Sequence, residues 1–218
     1  MDRFTVIDIE TENTGYDVMN DNKRIISIQM YDSAEGTIFY DGSDKNTIVA
    51  AKSTILSQID QSYKFVGFNI RNFDAVFLNR FLGIEIPDEL ILEISEMPQM
   101  AKIRTRLGKK NPRLLDICKH LGIDCAHKKM MDDVSVKFRS LPDVIRIAKE
   151  AAEKLSKDRG WGYDFSYNMA LDRIAGGMGI LESFNDFVSK GGDTNSLFYR
   201  YAMGDVFTEH RLFEELRK

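Results

Sequence analysis

The run FTVIDIE, residues 4–10, limits what this chain can become. Five of its first six residues are apolar or β-branched, the pattern of a strand buried on both faces and so central in a sheet. Yet the run carries Asp8 and Glu10, two acids that a dry core would reject. Side chains two apart on a strand point the same way, so both carboxylates leave from one face. An isolated D-x-E pair is equally what a strand shows when Asp8 ends it and Glu10 faces water. The rest of the chain has to decide between a site and a strand end.

Two further strands follow, RIISIQMY (24–31) and GTIFYDG (36–42), joined by the turn DSAEG. This opening reads as an antiparallel meander. Ile48, Ala51, Ile55 and Ile59 recur at helical spacing within 46–60. YKFVGFN (63–69) is a short apolar strand, and FDAVFLNRFLG reads as a helix stopped by Gly83. Meander, helix, strand, helix predicts an α/β fold with a mixed sheet. Farther on, 114–122 predicts a short helix, 141–158 an amphipathic one, and NSLFYRYAMGDVFTEHRLFEELRK a long terminal one. Asp193, Thr194 and Asn195 are its candidate caps. With no internal repeat or linker, residues 1–218 are expected to form a single domain.

Composition narrows the partners. Hydrophobic residues make up 43% and charged ones 29%, an ordinary soluble balance. The net charge of −4 argues against nucleic-acid binding by bulk charge, so any such binding needs a local patch. Two cysteines are too few for a stapled secreted domain. MDRFTV opens without the apolar stretch of a leader, and no run approaches the roughly 18 apolar residues of a membrane helix. A cytoplasmic protein without membrane attachment is expected.

Two more acidic segments follow the first. In GFNIRNFDAVFLNR, Asn69 closes a strand and Asp74 opens a helix, where it would serve either as a helix cap or as a site residue at a strand's end. In LFYRYAMGDVFTEH, Tyr201 and Asp205 are four apart and share a helical face; Gly204 between them permits a close approach. Two clustered carboxylates raise each other's cost of ionisation, and a divalent cation removes the conflict. Such all-oxygen donors suit Mg²⁺ or Mn²⁺.

D-x-E, N-x-x-x-F-D and Y-x-x-x-D, in this order, resemble the three exonuclease motifs of the DEDD superfamily in its tyrosine-bearing branch. GFNIRNFDAVFLNR looks most like the second motif of the proofreading domain of family B DNA polymerases. The histidine branch would need a His five residues before Asp205, where Arg200 stands. The resemblance implies a ribonuclease H-like fold, a mixed sheet flanked by helices. It also implies a 3′→5′ exonuclease that releases nucleoside 5′-monophosphates from single-stranded or frayed DNA, using two Mg²⁺ or Mn²⁺ ions. Asp8, Glu10, Asp74 and Asp205 would form the metal shell, with Asp8 bridging. Tyr201 would orient the attacking water, since a phenol with a pKa near ~10 is a weak base at neutral pH. Asn69, Thr11 and Phe73 would contact substrate. The chain ends just after the third motif, so a stand-alone relative of the proofreading domain is expected, with association with a replication or repair polymerase as a further partner.

KIRTRLGKKNPR (102–113) holds six basic residues and no acid. It reads as a solvated loop or as a contact to a phosphate backbone, with Lys109, Lys110 and Arg113 as candidates and Lys128 and Lys129 as extensions. In WGYDFSYN, Trp161, Tyr163, Phe165 and Tyr167 fall on one side if the segment is extended, to pack a core or stack bases. Cys118, His120, Cys125 and His127 do not have the spacing of a zinc knuckle, and Leu114, Cys118 and Leu121 make one apolar helix face. AGGMG (175–179) reads as a turn and His210 as a surface residue. An exoribonuclease on the same fold, or a binding module without catalysis, stays open beside the DNA exonuclease.

Overall fold

The computed structural model describes residues 3–13 and 15–218, so Met1 and Asp2 of the opening segment lie outside the described residues. The chain packs as two compact units. The first takes in the start of the chain to Glu10, then Ile25–His127 and Ala202–Lys218. The second comprises Thr11–Arg24 and Lys128–Tyr201.

The first unit is built on a five-stranded sheet in the order β3-β2-β1-β4-β5. β1 spans Phe4–Asn13, β2 Asn22–Asp32, β3 Gly36–Asp41, β4 Lys64–Gly67 and β5 Ile91–Glu93. β2 and β3 are antiparallel, with Ile28 opposite Tyr40. The start of β1 meets the end of β2, where the Ser33 N–H donates to the Phe4 carbonyl and the Phe4 N–H donates to Ser33 Oγ. β4 runs parallel to β1, with Phe4 level with Lys64 and Val6 with Val66, and β5 runs parallel to β4. This is the mixed sheet of the ribonuclease H-like architecture, as the sequence predicts, with FTVIDIE as its middle strand.

The helices of this unit are α1 (Lys45–Asp60), α2 (Asp74–Leu82), α3 (Met100–Leu107), α4 (Leu114–Leu121) and most of α8. α1 lies beside β3, where the Tyr40 hydroxyl donates to Thr54 Oγ1 at 2.8 Å. α2 ends at Gly83, whose φ of 63° is the left-handed cap that glycine adopts without strain. The first half of the basic run 102–113 is helix: α3 holds it to Leu107, with Met100 and Ile103 turned into the core, and the rest is loop. α3, α4 and α8 share one apolar cluster with the sheet. Val6 and Val66 meet Ile103, Ile117, Val206, Leu212 and Phe213 there. Each such side chain contributes about 1.5–3 kcal/mol on burial. Cys118 is fully buried on α4, as its apolar face predicts.

α8 spans Leu197–Leu216 and is continuous. Its cap is Ser196, whose Oγ accepts from the Tyr199 N–H at 3.2 Å; the three residues before it do not fill that role. His210, expected at the surface, instead stacks on Tyr31 with ring centroids 3.8 Å apart. Burial lowers its pKa.

The second unit contains most of α5 (Ala126–Ser135), α6 (Pro142–Arg159) and α7 (Tyr163–Ser189). α6 and α7 pack through an apolar cluster, Val144, Ala148 and Ala151 with Ala170 and Ile174. Two sequence expectations fail here. AGGMG is not a turn but lies inside α7. A Cβ on Gly177 would stand 2.7 Å from the Asn13 carbonyl oxygen, and one on Gly179 would stand 2.4 Å from Ser135 Oγ. These glycines serve close helix packing, which sequence punctuation cannot distinguish from a turn. WGYDFSYN is not extended either, since α7 begins at Tyr163. Its aromatics pair four apart instead, Trp161 with Phe165 at 5.6 Å and Tyr163 with Tyr167 at 6.4 Å. Phe165 stays 62% exposed, so the segment does not form a core stripe.

Candidate metal-binding acidic site

Alternation along β1 places the acids. Val6 faces the cluster shared with α8, and Asp8 and Glu10, two and four residues on, continue along that face. α8 brings Asp205 and Glu209 on the stripe that also carries Leu212 and Leu216, at helical spacing. One face of one helix is therefore apolar at its far end and acidic at the sheet's site end. Asp8, Glu10 and Asp205 each offer a carboxylate oxygen, and these oxygens all lie within 4.8 Å of one another. Among the described residues this is the group whose side chains suit a metal ion. Cys118, His120, Cys125 and His127 form no such group among the described residues.

Asp74 joins from α2. It is the first residue of that helix rather than its cap, a position held by Phe73. Its Oδ1 accepts the Ile9 N–H at 3.1 Å, which ties the helix start to β1 between the two strand acids. Burial raises the Asp74 pKa to about 7, opposed by the N–H groups of Asp74 and Ile9 and reinforced by the charges of Glu93 and Asp205. Asp8 is driven well above the usual carboxylate range, first by desolvation and then by Asp205, Asp74, Glu10 and Glu209. Its Oδ2 is buried without a hydrogen-bond partner. Buried polar atoms are nearly always satisfied. An orphaned carboxylate oxygen amid repelling acids is what a cation-binding site looks like from the protein side, so these residues fit a divalent metal.

His127 and Gly204 complete the surroundings of Asp205. The His127 ring Nε2 lies 3.1 Å from Asp205 Oδ1, and both side chains are largely buried. A Cβ on Gly204 would stand 2.5 Å from His127 Cγ. Gly204, expected to admit backbone or metal, is instead approached by the His127 side chain. His127, Glu209 and Glu93 lie beside the site but outside the four acids and the tyrosine that the motifs imply. Glu209 has a legible signal, four after Asp205 on the helix face that reaches the core. Glu93 holds the loop before Asp74, its carboxylate accepting the N–H of Asn69 at 2.8 Å and of Ser95 at 3.1 Å. That grip keeps Asn69 at φ 70°, a left-handed conformation that asparagine tolerates better than most residues.

Asn69 is exposed at the end of β4. Phe73 packs edge-on against Phe77 at 4.7 Å. Lys109 is paired with Asp116 at 2.9 Å, while Lys110 and Arg113 are exposed. In the second unit, Thr11 spends its hydroxyl on Asn22 Oδ1 at 2.5 Å. Tyr201, four residues before Asp205 on α8, is buried there, with the Lys128 ammonium 5.0 Å over its ring and 3.5 Å from its hydroxyl. No helix of the described residues is long and apolar enough to cross a membrane. The chain matches no family model and no curated protein, so the reading rests on the site itself.

Proposed function

We propose that the protein is a metal-dependent 3′→5′ exonuclease of the tyrosine-bearing DEDD type, acting on single-stranded or frayed DNA. The observation that carries this reading is the convergence of Asp8, Glu10 and Asp205 within 4.8 Å, on a sheet of ribonuclease H-like order. Asp8, Glu10, Asp74 and Asp205 would hold two Mg²⁺ or Mn²⁺ ions, which supply charge neutralisation at the scissile phosphate and an acidified water.

The chain's own part is positional. β1 is rigid because it is central, so Asp8 and Glu10 hold their geometry without substrate. Asp74 is fixed by the Ile9 N–H and His127 abuts Asp205, so carboxylates on three separate elements are set before binding. Tyr201 would orient the attacking water through its hydroxyl, with the Lys128 ammonium beside it adding positive charge toward a phosphate. Cleavage would break the bond between phosphorus and the 3′ oxygen, leaving a 5′-phosphorylated mononucleotide. Work beside a separate replication or repair polymerase is a natural setting for such an activity.

The test is a gel assay with 5′-labelled single-stranded DNA and RNA of matched sequence, with Mn²⁺, with chelator, and with Asp8→Asn and Tyr201→Phe variants. Stepwise shortening from the 3′ end that disappears in chelator and in Asp8→Asn upholds the reading. Tyr201→Phe should lose most turnover, by about 10²-fold. DNA left intact under every metal condition overturns it, and preferential shortening of RNA reassigns the substrate.

A further inference from the structure

A groove in the first unit lies over the ends of β4 and β5. It has a volume of about 560 Å³, within the range of about 300–1,000 Å³ that holds ligands. Continuing the β1–β4 register by two residues brings Phe68, at its edge, level with Asp8. Strands are spaced about 4.8 Å apart, so the groove starts roughly one strand from the acids and runs away from them across β5. The crevice beyond the carboxyl ends of parallel strands is where α/β sheets bind ligands.

Its lining is specific. Asn69, Asn72 and Asn111 present carboxamides, Arg104 and Arg113 present guanidinium groups, and none of the residues lining it is acidic. This is a local reversal of sign in a chain whose net charge is −4. The nearby acid Glu93 is buried, with its carboxylate turned to the Asn69 and Ser95 amides. Arg104, in the last turn of α3, is held in place by donating from Nη2 to the Ser95 carbonyl, while its Nε is buried with no acceptor. An unmet buried N–H is costly, the more so on a charged group, so this side chain is held there by the packing around it. Held by Nη2 at the Ser95 carbonyl, Arg104 is a fixed positive charge on the groove's lining, and a guanidinium is the side chain best matched to a phosphate.

We infer that this groove binds the sugar–phosphate backbone of a single DNA strand upstream of the 3′ end, with Arg104 and Arg113 on successive phosphates and Asn69 at the entrance beside the acids. The inference rests on the exonuclease reading for its direction, because it makes the groove the track along which the strand retreats as it shortens. Apolar lining such as Phe68 gives the sugars and bases a surface, and the carboxamides add hydrogen bonds that do not depend on sequence.

The probe is a 5′-fluorescein dodecamer of thymidine, bound in chelator and followed by anisotropy from 50 to 300 mM NaCl. Arg104→Gln and Arg113→Gln should each weaken binding several-fold. Together they should reduce the slope of log affinity against log salt by about 1.4, at about 0.7 per phosphate contact. Arg113 is exposed, so its variant reports even if Arg104→Gln does not fold. A double variant with unchanged affinity and slope, or a wild-type protein that does not bind the dodecamer, overturns the proposal. Because the assay contains no metal, the two readings separate. Binding lost in the variants of a protein that cuts nothing upholds the groove and sinks the exonuclease. Cutting by a protein whose variants bind normally does the reverse.

Discussion

Replacing Asp8 with asparagine should make the metal-free protein more stable, although it removes a buried group from the central strand. Two full charges 4.8 Å apart, the outer limit within the Asp8–Glu10–Asp205 group, repel by about 3.5 kcal/mol at an effective dielectric constant of about 20. Proton uptake relieves part of this, as the raised Asp8 pKa shows. A net gain of about 1–3 kcal/mol at pH 8 remains, or a rise in Tm of about 3–10 °C for a chain of this size. The asparagine amide also donates to acids that the carboxylate repelled. Metal should reverse the order: at about 1,000 times its Kd an ion stabilises the wild type by about 4.1 kcal/mol, and the variant by much less. The assay is thermal unfolding at pH 8 and pH 5, with chelator and with Mn²⁺. The gain in chelator should shrink at pH 5, where protons already quench the repulsion. Asp32 is the control, a buried acid whose oxygens accept from Ala34, Glu35 and Gln58, and Asp32→Asn should destabilise in every condition. The reasoning fails if Asp8→Asn melts below the wild type in chelator, or if Mn²⁺ leaves the ranking unchanged.

Two further outcomes follow from the site's surroundings. Gly204→Ala places a methyl group 2.5 Å from His127 Cγ, and should cost about 1–3 kcal/mol in denaturant unfolding while weakening Mn²⁺ binding measured by calorimetry. For Asp74 the folded pKa of about 7 lies above its ordinary 3.8, so its stabilising contribution is whole below about pH 4 and is lost as pH rises to 7. Metal-free protein should therefore lose stability over that window, by up to about 1.4 kcal/mol per pH unit from this group. Asp74→Asn, which keeps an oxygen for the Ile9 N–H, should flatten the curve.

What was legible in the sequence was what depends on near neighbours. Apolar density alone placed FTVIDIE at the sheet's centre, and two-residue alternation put Asp8 and Glu10 on one face. Four-residue spacing set Asp205 on the helix face that meets them. Glu209 obeyed the same spacing and was legible in principle. His127 was not: its place depends on a contact 78 residues away with Asp205 and on the missing Cβ of Gly204, and nothing local to CAHKK encodes that. The glycines of α7 misled for the complementary reason. A glycine that breaks a chain and one that admits a neighbour look alike until the neighbour, here Asn13 or Ser135, is known. Aromatics spaced by two promised an extended stripe, but helix formation from Tyr163 re-sorted them into pairs spaced by four.

β1 stands third of five across the sheet, paired on both edges. A strand so placed does not fray, and the amide proton of Ile7 should exchange with deuterium only when the whole sheet comes apart. Asp8 and Glu10 then have no private unfolding event of their own, and their lifetime is that of the fold. Warming should leave whatever chemistry they carry intact to the edge of the melt and abolish it there all at once.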